Sequence, residues 1–317
     1  MRLLNIQKHK LEKTINIGTR GSKLALWQAY YVADLLKEAG LKANIIEIET
    51  KGDKILDRSL AKVGSKGLFT EELETQLLEG KIDMAVHSAK DLPSDLGEHF
   101  KIIAFTEREQ VNDVIVSDDK NLMKKPNPVL GTSSVRRTAL FKKYMPNATV
   151  VNMRGNLQTR IKKMRDGHCD GLVLAFAGVH RMGYNDMIVK QLPVEKYVPP
   201  VGQGSVAIEV ADTLDKEVEA AIIKAVNHTE SAACLSAERA FLKKLQGGCS
   251  IPAFAHAQLN NGKIHMQGGI IDTDGVAFVV REMSAGVEES SQLGTSLAKE
   301  ILENGGDKIL ARLKAEE

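Results

Sequence analysis

The sequence predicts an α/β fold: mostly parallel sheets, followed by a small α+β unit with a three-stranded antiparallel sheet. Two observations carry this. Several segments repeat a short apolar run, a Gly/Ser-type turn bearing a cation, and then a helix, which is the pattern of right-handed βαβ units. Near the C-terminus, three strand-like runs are divided by hairpin turns instead. The length, 317 residues, is long for one domain and suits two or three.

In chain order, residues 14–18 read as a strand, followed by Thr19-Arg20-Gly21-Ser22, with Ser22 as N-cap of a helix over 23–39. A strand over 82–86 ends in His87-Ser88-Ala89-Lys90-Asp91-Leu92-Pro93. Residues 128–130 lead into Gly131-Thr132-Ser133-Ser134, and a helix opens at Val135-Arg136-Arg137. A strand over 149–153 ends at Arg154-Gly155-Asn156, and the helix after it carries Arg160. A strand over 171–176 ends at Ala177-Gly178-Val179-His180-Arg181-Met182-Gly183. A helix over 228–245 precedes strands near 252–259, 263–271 and 276–282, with turns at Asn260-Asn261-Gly262 and Asp272-Thr273-Asp274-Gly275. Helical patterns over 288–304 and 307–314 close the chain.

Composition narrows the function. Charged residues make up 26% and hydrophobic ones 43%, an ordinary globular balance. With eight Phe, five Tyr and one Trp, the core rests on aliphatic packing, and a base-stacking surface is not expected. No apolar run approaches the roughly 20 residues of a membrane span. The start, MRLLNIQKHKLEKT, has no apolar region resembling a secretion signal. The three cysteines lack the C-x-x-C and His-x-x-x-His spacings of a zinc site and are too few for a disulfide framework. The expectation is a soluble, cytoplasmic protein without metal.

The net charge of +2 conceals an uneven distribution. Lys120 to Arg165 contains twelve Lys or Arg residues and no Asp or Glu, leaving 31 basic against 41 acidic residues elsewhere. Such a run suggests that something anionic sits among these residues. Lys124, Lys125, Lys142, Lys143, Lys162 and Lys163 read as a solvated face. The arginines differ, because Arg20, Arg136, Arg137, Arg154, Arg160 and Arg181, with Lys90, follow strand ends. In open α/β sheets ligands bind at such ends, where helix N-termini add N–H donors. Arginine's planar fork suits carboxylate or phosphate, so a ligand with several such groups is expected. Asp91 is the lone carboxylate of this setting. Its bland reading is a turn former, and its functional reading is an ionised group that stabilises a developing cation or moves a proton. Cys234 reads as buried packing and Cys169 as incidental. Cys249, in Gln246-Gly247-Gly248-Cys249-Ser250-Ile251-Pro252, is placed to present a thiol.

These motifs resemble the porphobilinogen deaminase, or hydroxymethylbilane synthase, family. The matching stretches are Ile17-GTRGSKLALWQA-Tyr30, Leu60-AKVGSKGLFTEELE, Asp83-MAVHSAKDLPS, Gly131-TSSVRR, Met153-RGNLQTR, Leu174-AFAGVHRMG, Val201-GQGSVAIE, Ala237-ERAFLKKL and Gln246-GGCSIP. They run in family order from about residue 15 to 257. Lys23 departs from the proline common at that position, and the N-terminus is about ten residues longer than in a minimal member.

The resemblance implies two α/β lobes like those of periplasmic binding proteins, with the active site between them. Domain 1 would comprise 1–106 with 203–222, domain 2 would be 107–202, and domain 3, an α+β unit carrying the cofactor cysteine, 223–317. It further implies a monomeric transferase of tetrapyrrole biosynthesis, feeding heme, whose partner is porphobilinogen and not nucleic acid or membrane. Four porphobilinogen units are deaminated and joined head to tail into hydroxymethylbilane, on a dipyrromethane cofactor held through a thioether at Cys249. Each pyrrole carries an acetate and a propionate, which would account for the cations. By the same resemblance Lys90, Ser134, Arg136, Arg137, Arg154 and Arg160 hold cofactor or substrate carboxylates. Arg20, Ser22 and Arg181 line the substrate position. Asp91 helps ammonia leave and stabilises an azafulvene-type cation, and Lys62 and Lys66 belong to a loop over the cleft. A pure binding protein would explain the arginines but not Asp91 among cations or Cys249 in its glycine loop. A nucleic-acid site would not place arginines at strand ends.

Overall fold

Ile15 and Ile17 are fully buried in β1 (Thr14–Arg20), and this strand organises the first sheet of the computed structural model, which describes residues 13–50, 70–246 and 251–316. Ser22 Oγ accepts the Ala25 N–H at 3.3 Å and caps α1 (Lys23–Glu38), so Lys23 starts the helix without disturbing it. The chain returns through β2 (Lys42–Ile48), parallel to β1 in unbroken register. After α2 (Glu71–Leu78) comes β3 (Met84–Ser88), parallel to β1 on its other side, and then β4 (Phe100–Phe105).

The second sheet repeats the plan. It comprises β5 (Asp113–Val116), β6 (Val129–Gly131), α3 (Val135–Tyr144), β7 (Thr149–Val151), α4 (Leu157–Arg165), β8 (Gly171–Ala175), α5 (Phe176–Arg181) and β9 (Ile188–Gln191). All five residues of β8 are buried, as expected of an apolar strand covered on both faces. The chain then rejoins the first sheet as β10 (Val206–Ala211), followed by α6 (Lys216–Val226).

The strand orders are β2-β1-β3-β10-β4 and β7-β6-β8-β5-β9. In each sheet four strands run in one direction, and the fourth in order, β10 or β5, runs against them, antiparallel to both its neighbours. The strands are thus mostly parallel in direction, as expected, but the inserted strand makes two of the four pairings in each sheet antiparallel, which the sequence pattern does not predict. Each antiparallel strand belongs to a chain that has just crossed between the lobes, so the crossings 106–112 and 192–205 are built into both sheets.

The third unit comprises α7 (Thr229–Lys244), the hairpins β11 (Ala253–Asn260), β12 (Lys263–Ile271) and β13 (Phe278–Gly286), α8 (Ser290–Ile301) and α9 (Asp307–Glu316). Strand β13 starts two residues later than its pattern predicts, because the Asp272 carboxylate accepts the N–H groups of Val276 and Ala277 and extends the turn. The last two helical patterns part where expected, at Gly305, whose φ of 103° ends the regular turn. Helices α7 and α8 approach so closely that a Cβ on Gly294 would lie 1.9 Å from the Ala237 carbonyl oxygen.

Helix α7 ties this unit to both crossings. Buried Glu238 receives Arg108 Nη1 at 2.6 Å and Nη2 at 3.1 Å, together with the N–H groups of Gly202 and Ala257. Arg108 Nε donates to the Gln203 carbonyl at 2.9 Å. Breaking a buried pair of this kind typically costs about 3–5 kcal/mol. On the other side Phe254, Phe278, Tyr144 and Tyr197 join the unit to the second lobe, and Lys143 Nζ sits 4.7 Å from the Phe278 ring centre. Cys169 proves to be core: it packs with Leu172 and Met153, and a Cβ on Gly131 would lie 2.9 Å from its sulfur. Cys234 is buried as expected, and burial pushes its thiol up to about 11. Among the described residues no helix is long and apolar enough to cross a membrane.

Candidate active site

Strand β3 ends at Ser88 and turns at once through a single 3-10 turn, Ala89–Asp91. The Ala89 N–H donates to the Ser205 carbonyl at 3.0 Å, so the turn is backed by the return crossing. Gly202 is required there: its φ is 81°, and a Cβ would lie 2.8 Å from Lys90 N. Held this way, Asp91 is exposed and Lys90 is half-buried.

A polar chain runs from this turn into the second lobe. Lys90 Nζ donates to Gln203 Oε1 at 3.4 Å, and Gln203 Nε2 donates to Asp113 Oδ1 at 2.9 Å. Asp113 also receives Arg136 Nη2 at 2.6 Å and Arg137 Nη2 at 2.7 Å. Burial alone would raise the Asp113 carboxyl, but the two guanidinium charges and their hydrogen bonds hold it well below the ordinary carboxylate range. Arg136 Nη1 donates to Val198 O and Arg137 Nη1 to Val173 O. Both arginines are therefore buried and partly neutralised, not open cations on a cleft rim.

The surplus positive charge lies nearby. Lys90 is pushed down to about 8 by burial, with Arg137 and Arg160 acting in the same sense and Asp91 and Asp113 opposing. Arg160 is pushed down to about 10 by burial and then by Arg137, with Asp91 opposing and Arg154 adding to the fall. Its Nε donates to the Gly155 carbonyl at 2.7 Å. Lys90, Asp91, Arg137, Arg154 and Arg160 thus share one electrostatic neighbourhood. Ser134 caps α3 through the Arg137 N–H at 3.4 Å, which sets the start of the arginine-bearing helix.

Arg20 ends β1 half-buried, beside the Ser22 cap. Arg181 ends α5, donates through Nη2 to Gly204 O at 2.8 Å, and stacks 5.1 Å from the Trp27 ring centre on α1. Lys62, Lys66 and Cys249 lie outside the described residues. Asp113 and Gln203 are absent from the sequence-based candidates. Their signals are a carboxylate opening an otherwise apolar strand, Asp113-Val114-Ile115-Val116, and a glutamine between two glycines at a crossing.

The family model described as "Porphobilinogen deaminase, dipyromethane cofactor binding domain" matches residues 15–220, and that of the C-terminal domain matches 232–303. The chain belongs to the porphobilinogen deaminase family. A porphobilinogen deaminase of Cytophaga hutchinsonii is 53% identical over 96% of this chain and 98% of the relative. One of Desulfosudis oleivorans is 48% identical over 96% and 99%. Among solved structures, the Bordetella pertussis BvgS periplasmic VFT2 domain aligns over 67% of this chain and 86% of its own at 17% identity and a TM-score of 0.42. The methionine binding protein MetQ covers 67% and 89% at 12% identity and 0.43. Membership makes the chain a transferase of tetrapyrrole biosynthesis that forms hydroxymethylbilane from porphobilinogen and carries a dipyrromethane cofactor.

The residues present fit that group. The Nε atoms of Arg136 and Arg137 are buried without a hydrogen-bond partner, and Lys90 and Arg160 beside them are half-buried, a donor set that calls for carboxylates. Lys90 supplies a test. Below pH 8 its charge is present in both folded and unfolded chains, and folding bears the burial penalty. Between about 8 and its ordinary 10.5 only the unfolded chain keeps the proton, so stability rises with pH. In cofactor-free protein, Lys90→Met is expected to remove this rise, measured by urea unfolding at pH 7 to 10.

Proposed function

We propose that Asp91 is the catalytic carboxylate of this deaminase and polymerase, with the dipyrromethane anchored at Cys249. The observation that carries this reading is that Asp91, exposed at the end of its turn, shares the field of Lys90 and Arg160. When bound, the dipyrromethane supplies the nucleophilic pyrrole carbon from which the chain grows. Asp91 hydrogen-bonds the pyrrole N–H of porphobilinogen and opposes the positive charge that spreads over the ring as the aminomethyl carbon releases ammonia. Lys90, Ser134, Arg136, Arg137, Arg154 and Arg160 hold the primer's acetates and propionates. Arg20, Ser22 and Arg181 receive the incoming unit.

Sheet membership supports the domain limits 1–106 with 203–222, 107–202, and 223–317, because β10 completes the first sheet after the second is built. The family pattern adds a cytoplasmic monomer that acts on a small molecule and takes no nucleic-acid partner.

The arginines should divide by role. Arg137→Gln or Arg154→Gln is expected to lower the fraction of chains carrying the two-pyrrole mass. Arg20→Gln is expected to leave that mass intact and block addition of further pyrrole units. Intact-protein mass before and after porphobilinogen reads both. Because Arg137 also pairs with buried Asp113, and Arg154 sits just beyond β7 in the same cluster, both variants need a melting-temperature control. Equal loading and equal turnover in all three variants would remove the carboxylate-binding assignment.

A further inference from the structure

Trp27 is the chain's only tryptophan, and it stands between the lobes. It lies on α1, against the first sheet, while Arg181 ends α5, which follows β8 of the second. The two helices meet closely enough that a Cβ on Gly178 would lie 3.7 Å from Leu24 Cδ2. The Arg181 guanidinium uses two faces of its chemistry at once. Its carbon is 5.1 Å from the Trp27 ring centre, and its Nη2 edge donates to Gly204 O. That carbonyl also accepts the Glu109 N–H at 3.1 Å, so Arg181 fastens α5 to the return crossing where it meets the outgoing one. Tyr31 stacks on the indole at 5.4 Å and 20°, fixing the ring that the guanidinium faces. A carboxylate that takes the guanidinium edge bidentately competes with Gly204 O and draws the cation from the indole.

We propose that Trp27 is a positioning residue: with the Gly204 carbonyl it holds Arg181 across the two lobes until a pyrrole carboxylate takes the guanidinium. This rests on the reading that Arg181 meets the incoming porphobilinogen. The handover makes the stacking energy a cost of substrate binding, so removing the indole strengthens binding, whereas simple damage to the α1–α5 contact weakens it.

The test uses the cofactor-loaded enzyme. Mixed with porphobilinogen in a stopped-flow instrument, the wild type should show a saturable change in Trp27 emission that keeps step with the first added pyrrole unit, followed by quenched-flow intact mass. Arg181→Gln should load poorly and show no such change. Trp27→Leu should lower KM for porphobilinogen about two- to fivefold, the lower range of a cation–π contact. Trp27→Phe, which keeps a ring against Tyr31, should lower it less and carries the test if the leucine variant melts early. Wild-type loading with silent Trp27 emission, or an unchanged or raised KM in both Trp27 variants, overturns the handover and leaves the substrate role of Arg181 standing. Wild-type loading and KM in Arg181→Gln would instead remove that role, and the proposal with it.

Discussion

Asp91→Asn is expected to yield a folded, cofactor-loaded protein whose turnover is lower by about 10³-fold or more, since charge stabilisation and proton transfer are each worth orders of magnitude. The substitution is nearly isosteric on an exposed residue of a turn held by backbone contacts from Ala89 and the Gly202 crossing, so the fold should tolerate it. What changes is the field. Lys90 and Arg160 would lose the exposed carboxylate that offsets them, and the site would become more cationic just where a cation must form. Binding of carboxylated pyrroles should therefore persist or tighten while the chemical step slows. Steady-state rates with intact mass on the same samples separate these effects. Activity within tenfold of wild type would take Asp91 out of its role.

The second large effect is loss of the primer. Cys249→Ala removes the only proposed nucleophile able to form the thioether, and turnover should fall to background. Cys169 and Cys234 cannot substitute. Both are buried, and burial raises both thiols above their ordinary range, which leaves little thiolate. Cys169→Ala and Cys234→Ala should keep the cofactor mass and lose only packing. The apo-protein should also melt at lower temperature and be cut faster by protease, because ligand binding stabilises the folded state. The structure limits how large that loss can be. Asp113 already compensates part of the Arg136–Arg137 charge, so the repulsion that the primer relieves is mainly that felt by Lys90 and Arg160.

Which features were legible in the sequence follows from how local their causes are. The β1–α1 corner, the Lys90–Asp91 turn, the Ser134 cap and the β7–α4 and β8–α5 corners are each specified within about ten residues. An apolar run, a turn residue and a capping hydroxyl or amide lie side by side there. The hairpins of the third unit are local in the same sense. Strands β5 and β10 are not: four and six buried residues gain their partners only when the chain crosses between lobes. Their antiparallel insertion turns a parallel expectation into a mixed sheet. The same distance hides Asp113, which lies 23 residues before Arg136 and outside the acid-free stretch that drew attention to the arginines. Charge counting along the chain sees twelve cations without a carboxylate, whereas folding supplies one from the neighbouring strand. Gln203 has no charge or periodicity to signal it, and its role depends on two crossings meeting.

The central claim is that the cation-lined site exists to hold a carboxylated primer fixed at Cys249. Intact mass of the purified wild type and of Cys249→Ala, each treated with p-dimethylaminobenzaldehyde in acid, tests it most directly. The wild type should exceed its sequence mass by two pyrrole units and colour with the reagent, while Cys249→Ala should show the bare sequence mass and stay colourless. A Cys249→Ala protein that still carried the two-pyrrole mass, or a wild type without it that nonetheless polymerised porphobilinogen, would contradict the account.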